Sequence, residues 1–433
     1  MPDAPAEGTI ERQLVRRRAA VADAWGLRDE VVLIGAGDAL GRPGRDDLTY
    51  PFEAHSEYFY LTDRNRPGGV LAFDPEQDWV DFVSPVTNTE RVWSGVPMEE
   101  PQGPTTEELD DWLAARRGRP VAWLGSEPEG AVSDRELAIQ LRFGLSGVRR
   151  RKDSVELGRM RAAHTATRAA FAVASSLLRE GVSERELQVE LEAEAFRHGA
   201  EAMAYDTIVG GGPNSAVLHF PPSARRFRAG DLVLIDAGAQ YLGYASDITR
   251  TYPIGGRLDP LQKDLHALVR SAEQAAIERC RVGTEWRDVH LTAALVIAEG
   301  LVACGLMRGE PESLVQSGAA WLFFPHGIGH LVGLGVRDAG GTPLAQRRDD
   351  PKPYPNLRID LPLEADVVVT VEPGIYFIPA LLGDADGRRR HRQEVVWDRV
   401  DGLLDFGGIR IEDDVLVTSG SPQILTDDVP LLG

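Results

Sequence analysis

The sequence predicts two domains, a smaller α/β domain over residues 1–150 and an α+β domain over residues 151–433. Three observations lead there. The chain has 433 residues, too many for one ordinary domain. Its first third mixes short apolar strands with helices. The remainder alternates helix pairs with short antiparallel strands, which is not the regular alternation of a doubly wound parallel sheet. The basic run Arg149-Arg150-Arg151-Lys152, read as a solvated linker or helix entry, marks the boundary.

Taken in order, Thr9 to Leu27 has the pattern of an amphipathic helix, and Val31 to Gly35 reads as a first buried strand. His55 to Thr62, Gly69 to Phe73, Trp79 to Val83 and Val121 to Leu124 are the further apolar segments expected to extend the layer, with a helix over Thr106 to Arg116. His55, a lone histidine beside aromatics, is read as structural. From Asp153 a helix is expected, with Asp153 or Ser154 as cap and Leu157, Met160, Ala163, Thr167 and Ala170 on one face, stopping at Gly181. Ser183-Glu184-Arg185-Glu186 is a capping box that opens a second helix to about His198. Tyr205 to Gly212 is strand-like, and Pro260 to Arg281 and Trp286 to Gly305 are again helical.

The stretch Asp231 to Arg250 organises the second domain. Leu232 to Ile235 is an apolar run ending in Asp236, and Tyr244 to Tyr252 reads as a second, antiparallel strand carrying Asp247. A carboxylate at the buried end of an apolar strand is costly unless a metal, a cation or hydrogen bonds neutralise it. Two of them on neighbouring strands call for a cation between them; the alternative is a pair of turn aspartates solvated at a sheet edge. Downstream, Val367 to Val371 ends in Glu372, and Ile409 to Val415 places Glu412 in an apolar alternation. Phe324 to His330 carries His326 and His330 four apart, broken by two glycines, so that backbone and not a helix face sets their geometry. Unpartnered buried carboxylates cost several kcal/mol each, so acids converging from three apolar strands imply an ion. Oxygen donors with one or two imidazoles suit Mn²⁺, Co²⁺ or Zn²⁺. Four acids and a histidine suit two ions about 3.5–4 Å apart, which activate a water and polarise a carbonyl, the chemistry of metal-assisted hydrolysis.

Composition narrows the classes. A formal net charge of -20 argues against a nucleic-acid or anionic-membrane partner. No apolar run reaches transmembrane length, and the N-terminus lacks the apolar block of a signal peptide, so a cytoplasmic protein is expected. Cys280 and Cys304 have no Cys-x-x-Cys partner and are read as reduced and structural. No glycine fingerprint for a dinucleotide or phosphate occurs.

The segments LIDAGAQYLGYASDITRTY, PHGIGHLVGLGVRD, TVEPGIYF and GIRIEDDVLVT resemble the metal-site motifs of the creatinase/methionine aminopeptidase ("pita-bread") peptidases. Within them, the resemblance is to the proline-specific branch, prolidase and aminopeptidase P, over roughly Asp153 to Thr418. Ser56 to Thr62 and Arg91 to Gly95 resemble that branch's smaller N-terminal domain. The resemblance implies a pita-bread catalytic domain with two divalent ions per subunit, manganese first and cobalt or zinc as alternatives. It implies Asp236, Asp247, His330, Glu372 and Glu412 as ligands, with Asp247 and Glu412 bridging. Glu372 is also implied as proton shuttle, and His219 and His326 as the histidines that line the substrate and stabilise an oxyanion. Arg410, two residues before Glu412, is expected among the substrate-binding residues.

One departure concerns the stretch after the histidine motif. Where the family usually reads Val-His-Asp, this chain has Val336-Arg337-Asp338. Arg337, always charged and longer, is a candidate for binding a substrate carboxylate. Arg358, fourteen residues before Glu372, sits where prolidases carry their carboxylate-binding arginine. These features and the long insertion between Leu382 and Gly407 lead to an Xaa-Pro dipeptidase as the expected function. The aromatic segment Tyr58 to Thr62 and Trp93-Ser94-Gly95 favour the alternative, aminopeptidase P acting on longer peptides. A further alternative is an inactive member used as a binding module. The expected partners are short proline-containing peptides and a second copy of the chain, as a homodimer or higher oligomer.

Overall fold

The structure, a computed structural model, describes residues 7–93, 103–339 and 357–429. The described residues divide into two compact units, one up to Arg149 and one from Arg150 on.

In the N-terminal unit a helix over Glu7–Trp25 precedes a mixed four-stranded sheet. The fully buried strand Val31–Gly35 lies inside that sheet, antiparallel to Val70–Asp74 and parallel to Val121–Gly125, with Asp78–Phe82 at the edge beyond Val70–Asp74. Its apolar run without alternation fits a strand covered on both faces. Two sequence expectations change here. Ser56–Thr62 is a helix and not an extended segment. His55 caps it, its Nδ1 accepting the Glu57 N–H at 3.3 Å, and Tyr58, Tyr60 and Leu61 turn into the core. The basic run is solvated only in part: Arg135–Arg150 is a helix whose Arg149 is buried, and Lys152 is buried in a 2.7 Å ion pair with Asp338, while Arg151 is exposed. Of Arg91 to Gly95, Arg91, Val92 and Trp93 end a short helix, Asn88–Trp93, and Ser94 and Gly95 lie outside the described residues.

In the larger unit, Asp153 and Glu156 form a capping box that starts the helix Ser154–Ser176, and Ser183 with Glu186 does the same for Glu184–Arg197. The helices Pro260–Arg279 and Trp286–Ala303 pack against each other and bury Leu265, Val269, Trp286, Ala293 and Ile297 in the largest apolar core. Against these lie short antiparallel strands: Leu232–Ala237 between Ile208–Gly211 and Ile248–Pro253, and Val368–Val371 beside Asp413–Leu416. Gly374–Tyr376 pairs with Gly408–Arg410, and a bridge between Thr249 and Glu412 ties the two groups of strands. Cys280 is buried and both cysteines are free thiols. Among the described residues no helix is long and apolar enough to cross a membrane.

Candidate metal centre

The strand Leu232–Ala237 is buried along its whole length and delivers Asp236 opposite Thr249. Tyr205 donates its hydroxyl to Asp236 Oδ1 at 2.7 Å, and Arg410 donates Nη2–H to Oδ2 at 2.5 Å. Beyond it the chain makes a small hairpin, Ala239–Tyr241 with Tyr244–Ala245, before entering Ile248–Pro253. Asp247 therefore lies in the gap between two strands and not within one, as the sequence had led us to expect; its N–H leaves the ladder and donates to Asp414 Oδ2 at 3.1 Å. Gly238 makes this closure possible, since a Cβ there would stand 1.7 Å from the Ser246 carbonyl oxygen.

His330 is held by its backbone. Its N–H donates to Thr370 Oγ1 at 3.0 Å, and Gly329, at φ +157°, passes so close to Thr370 that a Cβ would lie 2.0 Å from that carbonyl oxygen. His330 Nδ1 lies 3.0 Å from the Leu331 carbonyl. A carbonyl only accepts, so Nδ1 carries the proton and Nε2 turns to Asp247 Oδ2 at 3.3 Å. Burial pulls this imidazole's pKa down, but the contact with Asp247 and the charges of Asp247 and Glu372 outweigh it and raise it to about 8. Glu372 follows Val368–Val371, its N–H on the Ile328 carbonyl. Burial is the main reason its carboxyl is pushed up to about 7. Glu412 sits in the break between Gly408–Arg410 and Asp413–Leu416, where Thr249 Oγ1 donates to its Oε2 at 2.6 Å. Burial, then the charges of Asp247, Glu372 and Asp236, raise its carboxyl well above the ordinary range.

All ten sequence-derived site residues line one cavity of about 590 Å³. Asp247, His330 and Glu412 present ligand atoms within 4.8 Å of one another. Asp236 and Glu372 share the cavity wall without belonging to that closest cluster. His326 is half-buried, with Nδ1 2.8 Å from the Gly327 carbonyl and Nε2 2.9 Å from the Tyr376 hydroxyl. Burial first, then Arg410, drives its pKa down to about 3, so the ring is neutral. Arg410 is buried, its guanidinium donating to Thr249 Oγ1 at 3.1 Å and to the Tyr376 hydroxyl at 2.9 Å as well as to Asp236. A relay thus runs from Arg410 through Tyr376 to His326 Nε2. His219, Arg337 and Arg358 are exposed at the cavity, and of the Pro351 to Pro362 loop the residues before Leu357 lie outside the described chain.

Sequence reasoning missed Tyr205, Thr249 and Tyr376. Each is a hydroxyl whose partner is brought in from another part of the chain. Thr249 and Tyr376 lie inside motifs already singled out, next to or near the acids, and alternate strand spacing was the available signal.

The four carboxylates and one imidazole expected as ligands, Asp236, Asp247, Glu372, Glu412 and His330, face a common cavity with one buried guanidinium, Arg410, among them. The raised carboxyls of Asp236, Glu372 and Glu412 register that excess of negative charge as well as burial. Nε2 of His330 approaches Asp247 in a way that a proton or a divalent cation satisfies. The residues therefore fit divalent metal binding, and oxygen donors with one imidazole suit manganese, cobalt or zinc.

Comparison with known proteins points the same way. Residues 158–419 match the family model of metallopeptidase family M24, and residues 14–113 match that of the aminopeptidase P N-terminal domain. A probable Xaa-Pro aminopeptidase of Botryotinia fuckeliana is 29% identical over 395 residues, covering 88% of this chain and 86% of its own. The solved aminopeptidase PepP of Pseudomonas aeruginosa superposes with a TM-score of 0.81 at 29% identity, covering 97% of this chain and 96% of its own. Zinc-substituted aminopeptidase P of Escherichia coli in complex with product gives 0.79 at 28%, covering 97% and 96%. These relatives carry the name of the alternative reading, aminopeptidase P, and not of the dipeptidase.

Proposed function

This chain belongs to metallopeptidase family M24, with the pita-bread catalytic domain behind an aminopeptidase P-type N-terminal domain, and on that premise we propose that it is an Xaa-Pro aminopeptidase. It removes the N-terminal residue that precedes proline from peptides longer than two residues. The observation that carries this reading is the convergence of Asp236, Asp247, His330, Glu372 and Glu412 on one cavity of about 590 Å³, a volume that accommodates the start of a peptide. The likeness of both units to aminopeptidases P supports it over the dipeptidase.

The five residues would hold two divalent ions, of which manganese is our first choice. When bound, the ions supply a water made nucleophilic near neutral pH and polarise the scissile carbonyl. The remaining work belongs to the chain. Glu372 Oε2 takes the proton of the attacking water and returns it to the leaving proline nitrogen. His326, neutral and 3.8 Å from Glu372 Oε2 through Nδ1, is assigned to the carbonyl oxygen as it gains charge, its ring held by the Tyr376 hydroxyl. Arg410 and Tyr205 keep Asp236 oriented.

The dipeptidase remains the second reading on one observation. Arg337 and Arg358 both line the cavity with His219, and a guanidinium is the natural partner of a free proline carboxylate. Turnover of Ala-Pro, Leu-Pro and proline-containing tri- and tetrapeptides, with Mn²⁺, Co²⁺ or Zn²⁺ added, separates the two. An aminopeptidase cuts the longer peptides faster; cleavage confined to dipeptides overturns the proposal. In a dipeptidase, Arg358→Ala or Arg337→Ala raises KM for Leu-Pro on the order of tens-fold and leaves tripeptides unaffected.

A further inference from the structure

Outside the lining of the cavity, but bonded to the Asp247 backbone, a histidine and a carboxylate are buried together. His164, on the helix Ser154–Ser176, is 5% exposed and Asp414, on the strand that follows Glu412, is fully buried. His164 Nε2 lies 2.7 Å from Asp414 Oδ2. The same Oδ2 accepts the backbone N–H of Asp247 at 3.1 Å. Asp414 is otherwise held by its backbone, its N–H on Thr426 Oγ1 at 3.1 Å and its strand position opposite Thr370.

This connection has mechanical consequences. Asp414 is two residues from Glu412, and its side chain crosses to the turn that carries Asp247, so one carboxylate links the two elements assigned the bridging ligands. Asp247 sits in a gap between strands, where no ladder bond fixes its backbone, and the Asp414 contact takes that place. A carboxylate that accepts two N–H groups on one oxygen is confined to one rotamer, which an unsupported aspartate is not. His164 Nδ1 and Asp414 Oδ1 are buried without hydrogen-bond partners. The Nε2–Oδ2 contact is therefore the one polar bond that orients the ring. One helical turn along, Thr167 Oγ1 accepts the Ala239 N–H at 2.9 Å, so the same helix grips the hairpin between Asp236 and Asp247 at a second point. A buried histidine is a costly device for holding a strand end, since a threonine or backbone group does it elsewhere in this unit; it supplies reach and a directional donor to one oxygen atom.

We propose that His164 is a positioning residue for the metal centre: through Asp414 it fixes the backbone of Asp247 and so preorganises the bridging carboxylates for two ions. The inference rests on the metal reading above. Partners that orient ligands from behind are worth about 10- to 100-fold in metal affinity.

The test measures metal uptake by the full chain, with Mn²⁺ titrated calorimetrically and Co²⁺ followed by its visible absorption. Wild type takes up two ions. His164→Phe, which keeps the ring volume and removes the donor, weakens at least one ion by about 10- to 100-fold and alters the Co²⁺ spectrum, while His164→Gln, whose amide nitrogen can reach Oδ2, recovers most of both. Unchanged affinities and spectrum in His164→Phe overturn the inference. Should that variant fail to fold, Asp414→Asn carries the same expectation, and normal two-ion uptake by it overturns the inference equally. A wild type that takes up neither ion overturns the metal reading and the inference with it.

Discussion

The N-terminal unit and the cavity of the larger unit treat buried charge in opposite ways. In the N-terminal unit each buried acid has its cation. Asp74, 1% exposed, accepts from Arg116 at 2.6 Å and Arg119 at 2.9 Å, and Glu57 pairs with Arg142 at 2.9 Å while accepting the Gly125 N–H. Burial alone would raise the Asp74 carboxyl, yet the bonds from Arg119, the Glu76 N–H and Arg116 hold it at about 2. Around the cavity, the four candidate ligand carboxylates share one buried arginine, and Glu372 and Glu412 move up, not down. Matched buried charge is scaffolding; unmatched charge on one wall is a site that expects a cation. Fold alone does not draw this distinction, because both units build their acids on buried strands and short helices.

The comparison breaks most sharply at Asp247. Asp247→Asn removes the charge of a residue assigned to bridge two ions, so activity should vanish and metal content fall from two ions per chain. Full turnover with both ions bound would show that the acid excess has another purpose. At Asp74 the opposite is expected. Asp74→Asn strands Arg116 and Arg119 and should destabilise the N-terminal unit by about 3–5 kcal/mol, read by thermal unfolding, with metal content unchanged.

His326 and His330 sharpen the contrast within the catalytic unit. His326→Ala should keep the metals and lower kcat by about 10²- to 10³-fold. His330→Ala should lose metal. Equal metal loss in both variants would mean that the two histidines exchange roles. The smallest effect is a pH dependence located at His290, which is fully buried and stacked on Trp321 at 5.1 Å. Burial lowers its pKa to about 4 from an ordinary 6.5. The unfolded chain then binds the extra proton between those values, so stability is full above about pH 6.5 and falls as pH drops towards 4, by at most about 3 kcal/mol. His290→Phe should flatten this part of the stability–pH curve. An unchanged slope would assign acid sensitivity to other groups.

Much of this was legible in the chain. Asp236 and Glu372 stand at the ends of apolar runs, and a run of Leu, Val and Ile that stops at an acid announces a buried carboxylate whatever the fold. The capping boxes at Asp153 and Ser183 are local chemistry, complete within four residues, and the helices begin where they stand. Other features were invisible for equally physical reasons. Ser56–Thr62 has the aromatic composition of a strand but is a helix, because His55 caps it and the core takes Tyr58 and Leu61 from one side. The basic run at Arg149 and Lys152 reads as solvated until Asp338, nearly two hundred residues on, supplies the buried partner of Lys152.

What the sequence by itself determined is an inventory: four carboxylates and an imidazole beside apolar strands, a combination that calls for a cation. That inventory depends on side-chain type and on the burial of neighbouring residues, both of which are local. Only the tertiary structure decided that Asp247 leaves its ladder, that Arg410 and Tyr205 share Asp236 between them, and that His164 reaches Asp414 across 250 positions. Those bonds join residues that no periodicity relates. A hydrogen bond extends about 3 Å, and only the packed fold brings such atoms within that distance.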